Sequence, residues 1–202
     1  MSLLPLFPLD LVLLPGSLLP LHIFEPRYRE MTAECIAEKK PFGIVRSKDE
    51  NTVDIGCTAE ILTVAKQYPD GRSDIVTRGG RRFEILQLNQ ERPFLQAEVF
   101  FLEDEPDAAT PTEMRRARSL YTDLMTLAGA KADLDPATAR EQMSFQLVSS
   151  LPIDLDFKQS LLTMRSEQQR LRAVISYFES ILPSIKRQVQ AQHKAGGNGH
   201  VM

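Results

Sequence analysis

"LPLFPLDLVLLPGSLLPLHIFEPRYREM", residues 4–31, decides how the rest of the chain is read. It is apolar, it stands near the N-terminus, and prolines recur through it. A secretory signal would place basic residues ahead of an unbroken apolar run and end in a small-residue cleavage site. Here no Lys or Arg precedes Arg27, and Asp10 interrupts the run. A membrane-spanning helix would need about 20 apolar residues with few breaks. Pro5, Pro8, Pro15 and Pro20 would each remove a helix hydrogen bond and clash with the turn before it. The stretch therefore reads as short extended pieces: Leu4–Phe7, Leu9–Leu14, a Pro15-Gly16 turn, then Leu18–Phe24. Such dense Leu, Val and Ile predicts strands buried on both faces or lining a barrel.

Working outward, residues 26–39 predict a helix. Proline is favoured in a first helical turn, and Tyr28, Met31, Thr32, Cys35 and Ile36 recur at helical spacing. "FGIV" at 42–45 reads as a short buried strand. "CTAEILTVAKQY", "PDG" and "RSDIVTRG" read as a long hairpin turning at Pro69-Asp70-Gly71. "GRRFEILQL" and "FLQAEVFFLE" read as two further strands joined by "NQERP". Six to eight strands with one embedded helix suit a small closed barrel.

The composition changes near residue 105. "EDEPDAATP" at 103–111 has the character of a linker, and the apolar period then becomes 3.6. Thr110, Pro111 and Glu113 predict a capped helix start, Met114, Ala117, Leu120, Tyr121, Leu124 and Leu127 its buried stripe, and Gly129 its end. A second helix is expected from Asp135-Pro136 through Met143 and Leu147, and a shorter third after Asp154. A fourth, capped by Ser166 with Gln169, carries the stripe Leu171, Val174, Ile175, Phe178, Ile181, Leu182 and Ile185. Pro183 is expected to kink or interrupt it. The organisation expected is an α+β one: a β-barrel subdomain over 1–105, a helical bundle over 106–190, and a disordered tail over 191–202.

The whole chain sets further bounds. Its 202 residues are enough for one large or two small domains, and 43% apolar with 25% charged content is ordinary for a globular protein. Cys35 and Cys57 are expected to be buried thiols rather than a disulfide. The net charge of −3 disfavours nucleic acid as the main partner. With neither signal nor span, a cytoplasmic protein without membrane contact is expected.

Motifs that carry chemistry are sparse. The chain contains no phosphate-binding G-x-x-x-x-G-K-[ST], no G-x-S-x-G elbow and no H-x-x-x-H, C-x-x-C or EF-hand spacing. No catalytic residue, no metal ligand and no cofactor is therefore expected. His22 alternates with apolar neighbours on a strand and reads as structural; His193 and His200 lie in or near the tail. Arg78, Arg81 and Arg82 surround Gly79-Gly80. They read as a solvated bend whose glycines take positive φ, or as an anion or RNA patch. Glu25, Arg27, Arg29 and Glu30 rim the first helix. Its candidate peptide contacts are Glu25, Arg27 and Tyr28: a guanidinium for a peptide carbonyl, and a ring with a polar tip. The alternative is that Tyr28 packs inward with Met31 and Cys35.

These blocks together resemble a known family. "LPLFPLDLVLLPGSLLPLHIFEPRY" (4–28) resembles the opening of the N-terminal substrate-binding domain of Lon proteases. "GCTAEILTVAKQYPDGRSDIVTRGGRRFEI" (56–85) resembles that family's next block, a G-x-x-A-x-I strand leading through a P-D-G hairpin to a G-x-x-R-x-x-I strand. "LVSSLPIDLDFKQSLLTM" (147–164) and "SEQQRLRAVISYFESIL" (166–182) resemble its helical part. The resemblance covers about residues 2–185, and "HIFEPRY" is similar to the stand-alone bacterial members. It implies a PUA-like pseudo-barrel followed by helices. It also implies non-catalytic binding of unfolded or peptide segments of other proteins, without the ATPase and peptidase modules of the full protease. A protease or chaperone is a further candidate partner, and self-association is open. RNA binding, known among PUA-like barrels, is the competing expectation.

Overall fold

The computed structural model describes residues 3–48, 51–132 and 142–197. Two compact units emerge. One comprises the chain up to Asp104 together with Ser149–Arg165; the other comprises Glu105–Val148 and the chain from Ser166 onward.

The first unit is built on a seven-stranded sheet: β1 (Leu4–Leu9), β2 (Leu18–Ile23), β3 (Phe42–Lys48), β4 (Asn51–Thr52), β5 (Ile55–Gln67), β6 (Ser73–Asn89) and β7 (Gln96–Phe101). β1 pairs with two neighbours. It runs parallel to β3, with Leu6 beside Gly43, and antiparallel to β7, with Leu4 beside Ala97. β7 continues to β6, β6 to β5, and β5 to β3, so the path of pairings returns to β1. β2 lies on β6, with Leu18 opposite Arg78 and Ile23 opposite Ser73. Burial on both faces follows from this ring. Leu6 and Val45 face one apolar cluster with Phe83 and Ala97, whereas Phe7 and Ile44 face another with Met31 and Phe42.

Leu9–Leu14 is not the strand its apolar character suggests. Only Leu9 belongs to β1, and the rest forms bends and loop. The backbone meets β6 only just after this run, at the turn: Gly16 N–H donates to Gly79 O (2.8 Å) and Gly79 N–H to Ser17 O (2.9 Å). Leu13 and Leu14 are nevertheless buried, so the run is apolar because of where its side chains go, not because it pairs. The Pro15-Gly16 turn is present, with Gly16 at φ +78°.

The helix α1 (Pro26–Glu38) starts on its proline, as expected. Tyr28, Met31, Thr32 and Cys35 are its buried stripe; Ile36 falls off that stripe and is exposed. Lys39 ends the helix in the left-handed region, its N–H reaching the carbonyls of Cys35 and Ile36.

The expected bend at Gly79-Gly80 is absent, and so are the positive φ angles that went with it. β6 runs through both glycines as one 17-residue strand. Close approach explains them instead. A Cβ on Gly79 would stand 2.1 Å from Leu14 O, and one on Gly80 2.6 Å from Thr58 Oγ1. The same place carries a register shift, since Cys57 pairs with Arg82 but Ala59 with Gly79. Thr58 Oγ1 accepts the Arg81 N–H there at 2.8 Å.

Arg82 shows why the first unit includes a helix from far along the chain. It is 4% exposed, and it donates to Leu162 O (2.7 Å) and Met164 O (2.6 Å) and pairs with Asp104. Those carbonyls end α4 (Leu155–Thr163), whose N-cap is Asp154. The buried Arg46 holds Asp156 at 2.5 Å, and Gln159 donates to Ile55 O at 2.8 Å. The sequence reading assigned this helix to the bundle; its polar contacts place it with the sheet.

The second unit contains α2 (Pro111–Leu127), α3 (Met143–Ser149) and α5 (Glu167–Gly197). Thr110 and Glu113 form a reciprocal capping box, and Gly129 follows α2 at φ +68°. Ala117, Leu120, Tyr121 and Leu124 are buried, as are Leu171, Val174, Phe178 and Leu182 of α5. Ser166 caps α5 by accepting from Gln169 N–H at 3.0 Å. α5 is not interrupted by Pro183 and runs on to Gly197, beyond the residue-191 limit where the tail was expected; residues 198–202 lie outside the described residues. So does the Asp135-Pro136 start expected for the second helix, although Met143 and Leu147 do lie on a helix, α3, where both are buried.

Candidate functional site

The predicted peptide contacts stand at the start of α1. Glu25 is its N-cap, in extended backbone, but its side chain does not cap; it holds Arg27 instead. Arg27 Nε donates to Glu25 Oε2 at 2.9 Å, with a second nitrogen at 2.8 Å. The Arg27 guanidinium also lies 4.6 Å over the Tyr28 ring. Tyr28 itself is 6% exposed, its ring 4.0 Å from that of Phe7, and burial raises its hydroxyl pKa above the usual value. The ring is thus packed inward with Met31 and Cys35, the alternative noted from sequence.

Arg27 and Tyr28 line a cleft of about 550 Å³ with Pro8, Ser47, Arg92 and Phe94. Arg92 repeats the pattern of Arg27. It stacks 4.6 Å over Phe94 and donates to Glu34 (2.6 Å) and Glu30 (2.8 Å). The cleft is therefore walled by two guanidiniums, each stacked on an aromatic ring, Arg27 held by one carboxylate and Arg92 by two.

The other sequence candidates resolve as structure. His22 Nδ1 lies 2.6 Å from Asp74 Oδ1, and Tyr68 donates to the same carboxylate at 2.9 Å; the two hold the Asp74 carboxyl below the usual range. Arg78 pairs with Glu60, Arg81 with Glu103, and Arg82 is buried as described. Three basic residues each bound to an acid do not form an open patch for phosphates. Cys35 and Cys57 are buried free thiols. Among the described residues no three His, Cys, Asp or Glu converge on a metal-sized space, and no helix is long and apolar enough to cross a membrane.

A second opening was not foreseen from sequence. A groove of about 620 Å³ runs between the end of α1 and β5, lined by Ile36, Lys39, Pro41, Ile61, Leu62 and Val64 among others. Ile36 and Leu62 are each 43% exposed and Val64 39%. In the sequence, Ile36 falls at helical spacing with the buried stripe, and the β5 residues read as one arm of a hairpin. What makes them a surface is that β3 stops alongside β5 at Phe42 and Ala59, which only the pairing reveals.

Comparison with known proteins places the chain in a family. Residues 3–180 match the family described as the ATP-dependent protease La (LON) substrate-binding domain. The chain belongs to the Lon substrate-binding domain family. Among curated relatives, the Lon protease of Parabacteroides distasonis is 31% identical over 139 residues, which cover 64% of this chain and 17% of that protein. The Lon protease of Cytophaga hutchinsonii is 30% identical over 52% of this chain and 14% of its own length. The chain thus spans a small part of these relatives, and it corresponds to the Lon substrate-binding domain rather than to a catalytic one. A crystal structure of a Lon N-terminal domain protein from Xanthomonas campestris superposes with a TM-score of 0.70 at 26% identity, covering 88% of this chain and 99% of that one. The N-terminal domain of the Mycobacterium avium complex Lon protease shares the fold, with a TM-score of 0.60 at 20% identity over 88% of this chain and 98% of that one. Membership in this family supports a role in substrate recognition.

Proposed function

We propose that this Lon-family domain binds unfolded or peptide segments of other proteins in the cytoplasm and performs no chemistry on them. The family match across residues 3–180 carries the reading. The exposed Ile36, Leu62 and Val64 support it, since apolar side chains gathered at a groove suit apolar segments that folding would hide. Arg27 is the proposed polar contact for a peptide carbonyl, with Glu25 orienting its guanidinium and Tyr28 supporting it from beneath. A protease or chaperone would receive what is bound.

The test is a titration of a fluorescently labelled, permanently denatured apolar-rich protein against the purified chain, with its folded form as control. Tight binding of the denatured form, persisting at 1 M salt, is expected, because apolar burial is not screened whereas phosphate contacts weaken steeply. The Glu25→Ala/Arg27→Ala variant should bind roughly tenfold more weakly, the order expected for losing a charge-assisted hydrogen bond. Equal affinity for folded and denatured forms, or a salt-labile preference for RNA, would overturn the reading. Assays for ATP hydrolysis and proteolysis should stay at background; turnover that follows the chain through repurification would contradict a purely binding role.

A further inference from the structure

We infer that the groove beside α1 receives its ligand as an added β-strand: an extended apolar segment pairs with the open edge of β5 and places an acidic residue at Lys39. The inference rests on the proposed function and specifies the site and the shape of what is bound there.

The edge itself is the first observation. β5 runs from Ile55 to Gln67 and pairs with β6 along its length. On its other side β3 accompanies it only where Phe42, Gly43 and Ile44 meet Ala59, Thr58 and Cys57. Among the described residues no strand flanks that side from Glu60 to Gln67. A strand with one neighbour presents a row of unpaired N–H and C=O groups along its other edge. The groove lies in the lane that β3 would occupy if it continued backward past Phe42. Pro41 closes the lane at that end, because its ring nitrogen carries no hydrogen to donate.

The walls fit a strand with a preference. Leu62 and Val64 offer apolar contacts along β5, and Ile36 faces them from α1, so a bound segment would bury apolar residues while its backbone pairs. The register shift between Ile61 and Thr63 keeps the new ladder short, which suits a few residues rather than a whole extra strand.

The charges select the occupant. Of the cations lining the groove, Lys40 is held by Glu38 and Arg81 by Glu103. The lining carboxylate, Glu60, is held by Arg78. Lys39 is exposed and has no partner among the described residues. An acidic side chain next to the apolar run would meet it. A second copy of β5 offers Lys66 near its exposed residues but no acid beyond the committed Glu60, so a foreign acidic-apolar segment fits better than self-pairing.

The test uses an N-acetylated, C-amidated peptide, Asp-Val-Thr-Val-Thr-Val-Thr, and two forms N-methylated at alternate residues, one on each strand edge. Methylation removes backbone donors without changing the side chains. One methylated form should bind roughly tenfold or more weakly than the parent, and the other should match it, because a strand pairs by one edge. Leu62→Lys/Val64→Lys, changes at exposed positions, should abolish binding of the parent peptide, and Lys39→Glu should weaken it while favouring a Lys-for-Asp peptide. Equal binding of both methylated forms would overturn the inference, as would parent binding unaffected by the Leu62/Val64 pair. If the denatured protein binds as proposed but the peptide effects are absent, the added strand fails and the function stands. If neither binds, both fail. A concentration-dependent dimer in sedimentation that disappears in Leu62→Lys/Val64→Lys would assign the edge to a second copy and overturn the foreign occupant.

Discussion

The Sγ of Cys57 donates to the carbonyl oxygens of Thr58 and Gly80, 3.5 and 3.6 Å away, and the side chain is fully enclosed. Burial pushes this thiol up to about 12, and burial beside Glu34 and Glu38 takes Cys35 to about 11. Only the thiolate attacks disulfides and alkylating reagents, so both cysteines are inert near neutral pH. A thiol-disulfide reagent at pH 8 should therefore leave the native chain nearly unlabelled and titrate both thiols in denaturant. Fast labelling of Cys57 in the native protein would mean that the sheet around it opens. The expectation of buried thiols came from Cys35 lying on an apolar helix stripe, a local property that sequence carries well. Tyr28 is the opposite case. Its position beside Arg27 suited either a surface contact or a core ring, and only Phe7, brought over by β1, decides for the core.

At the scale of elements, Gly79 and Gly16 need glycine for different reasons and should respond differently to alanine. Gly79 is in extended backbone, but its missing side chain makes room for Leu14 O. Gly79→Ala would push the loop off β6 and break the two backbone hydrogen bonds made there, each of order 1 kcal/mol. Gly16→Ala meets nothing within 4 Å and pays only for its positive φ, about 1 kcal/mol. Thermal unfolding should rank Gly79→Ala well below Gly16→Ala; the reverse order would remove the close-approach argument. The α2 capping box gives a pH signature. The Thr110 N–H and hydroxyl, then Arg172 and Gln168, lower the Glu113 carboxyl to about 2. A carboxyl lowered in the folded state stabilises above its unfolded value of about 4.5, and that contribution is lost as pH falls toward 2. The stability difference between wild type and Glu113→Gln should thus be largest above pH 5 and shrink in acid. Both the cap and Gly129 were legible because capping is a matter of three or four adjacent residues. The continuity of β6 was not: Gly-Gly is a turn signal locally, and the reason for these glycines lies 65 residues earlier, at Leu14.

Over the whole molecule, most elements follow from local pattern, but the membership of α4 does not. A nine-residue helix with Leu161 and Leu162 buried could join any apolar surface, and its period does not say which. Two buried arginines on the sheet decide it. Arg82 needs the carbonyls of Leu162 and Met164, and Arg46 holds Asp156. The first unit is therefore discontinuous in sequence, and cutting the chain at its apparent boundary should harm it. A fragment ending at Asp104 keeps every strand and α1, and Arg82 keeps Asp104, but it loses the Leu162 and Met164 carbonyls to Arg82 and Asp156 to Arg46, hydrogen bonds to charged groups of about 1.5–3 kcal/mol each. Together these are a large part of the roughly 5–15 kcal/mol available to a domain. We expect residues 1–104 alone to unfold at markedly lower denaturant concentration than the full chain. Joining Ser149–Arg165 to that fragment through a flexible linker should recover most of the loss. Recovery should fail when Arg82→Met is introduced into the joined form only if the arginine pairing, rather than the apolar face of α4, carries the docking. A 1–104 fragment as stable as the full chain would show instead that the sheet completes its own core.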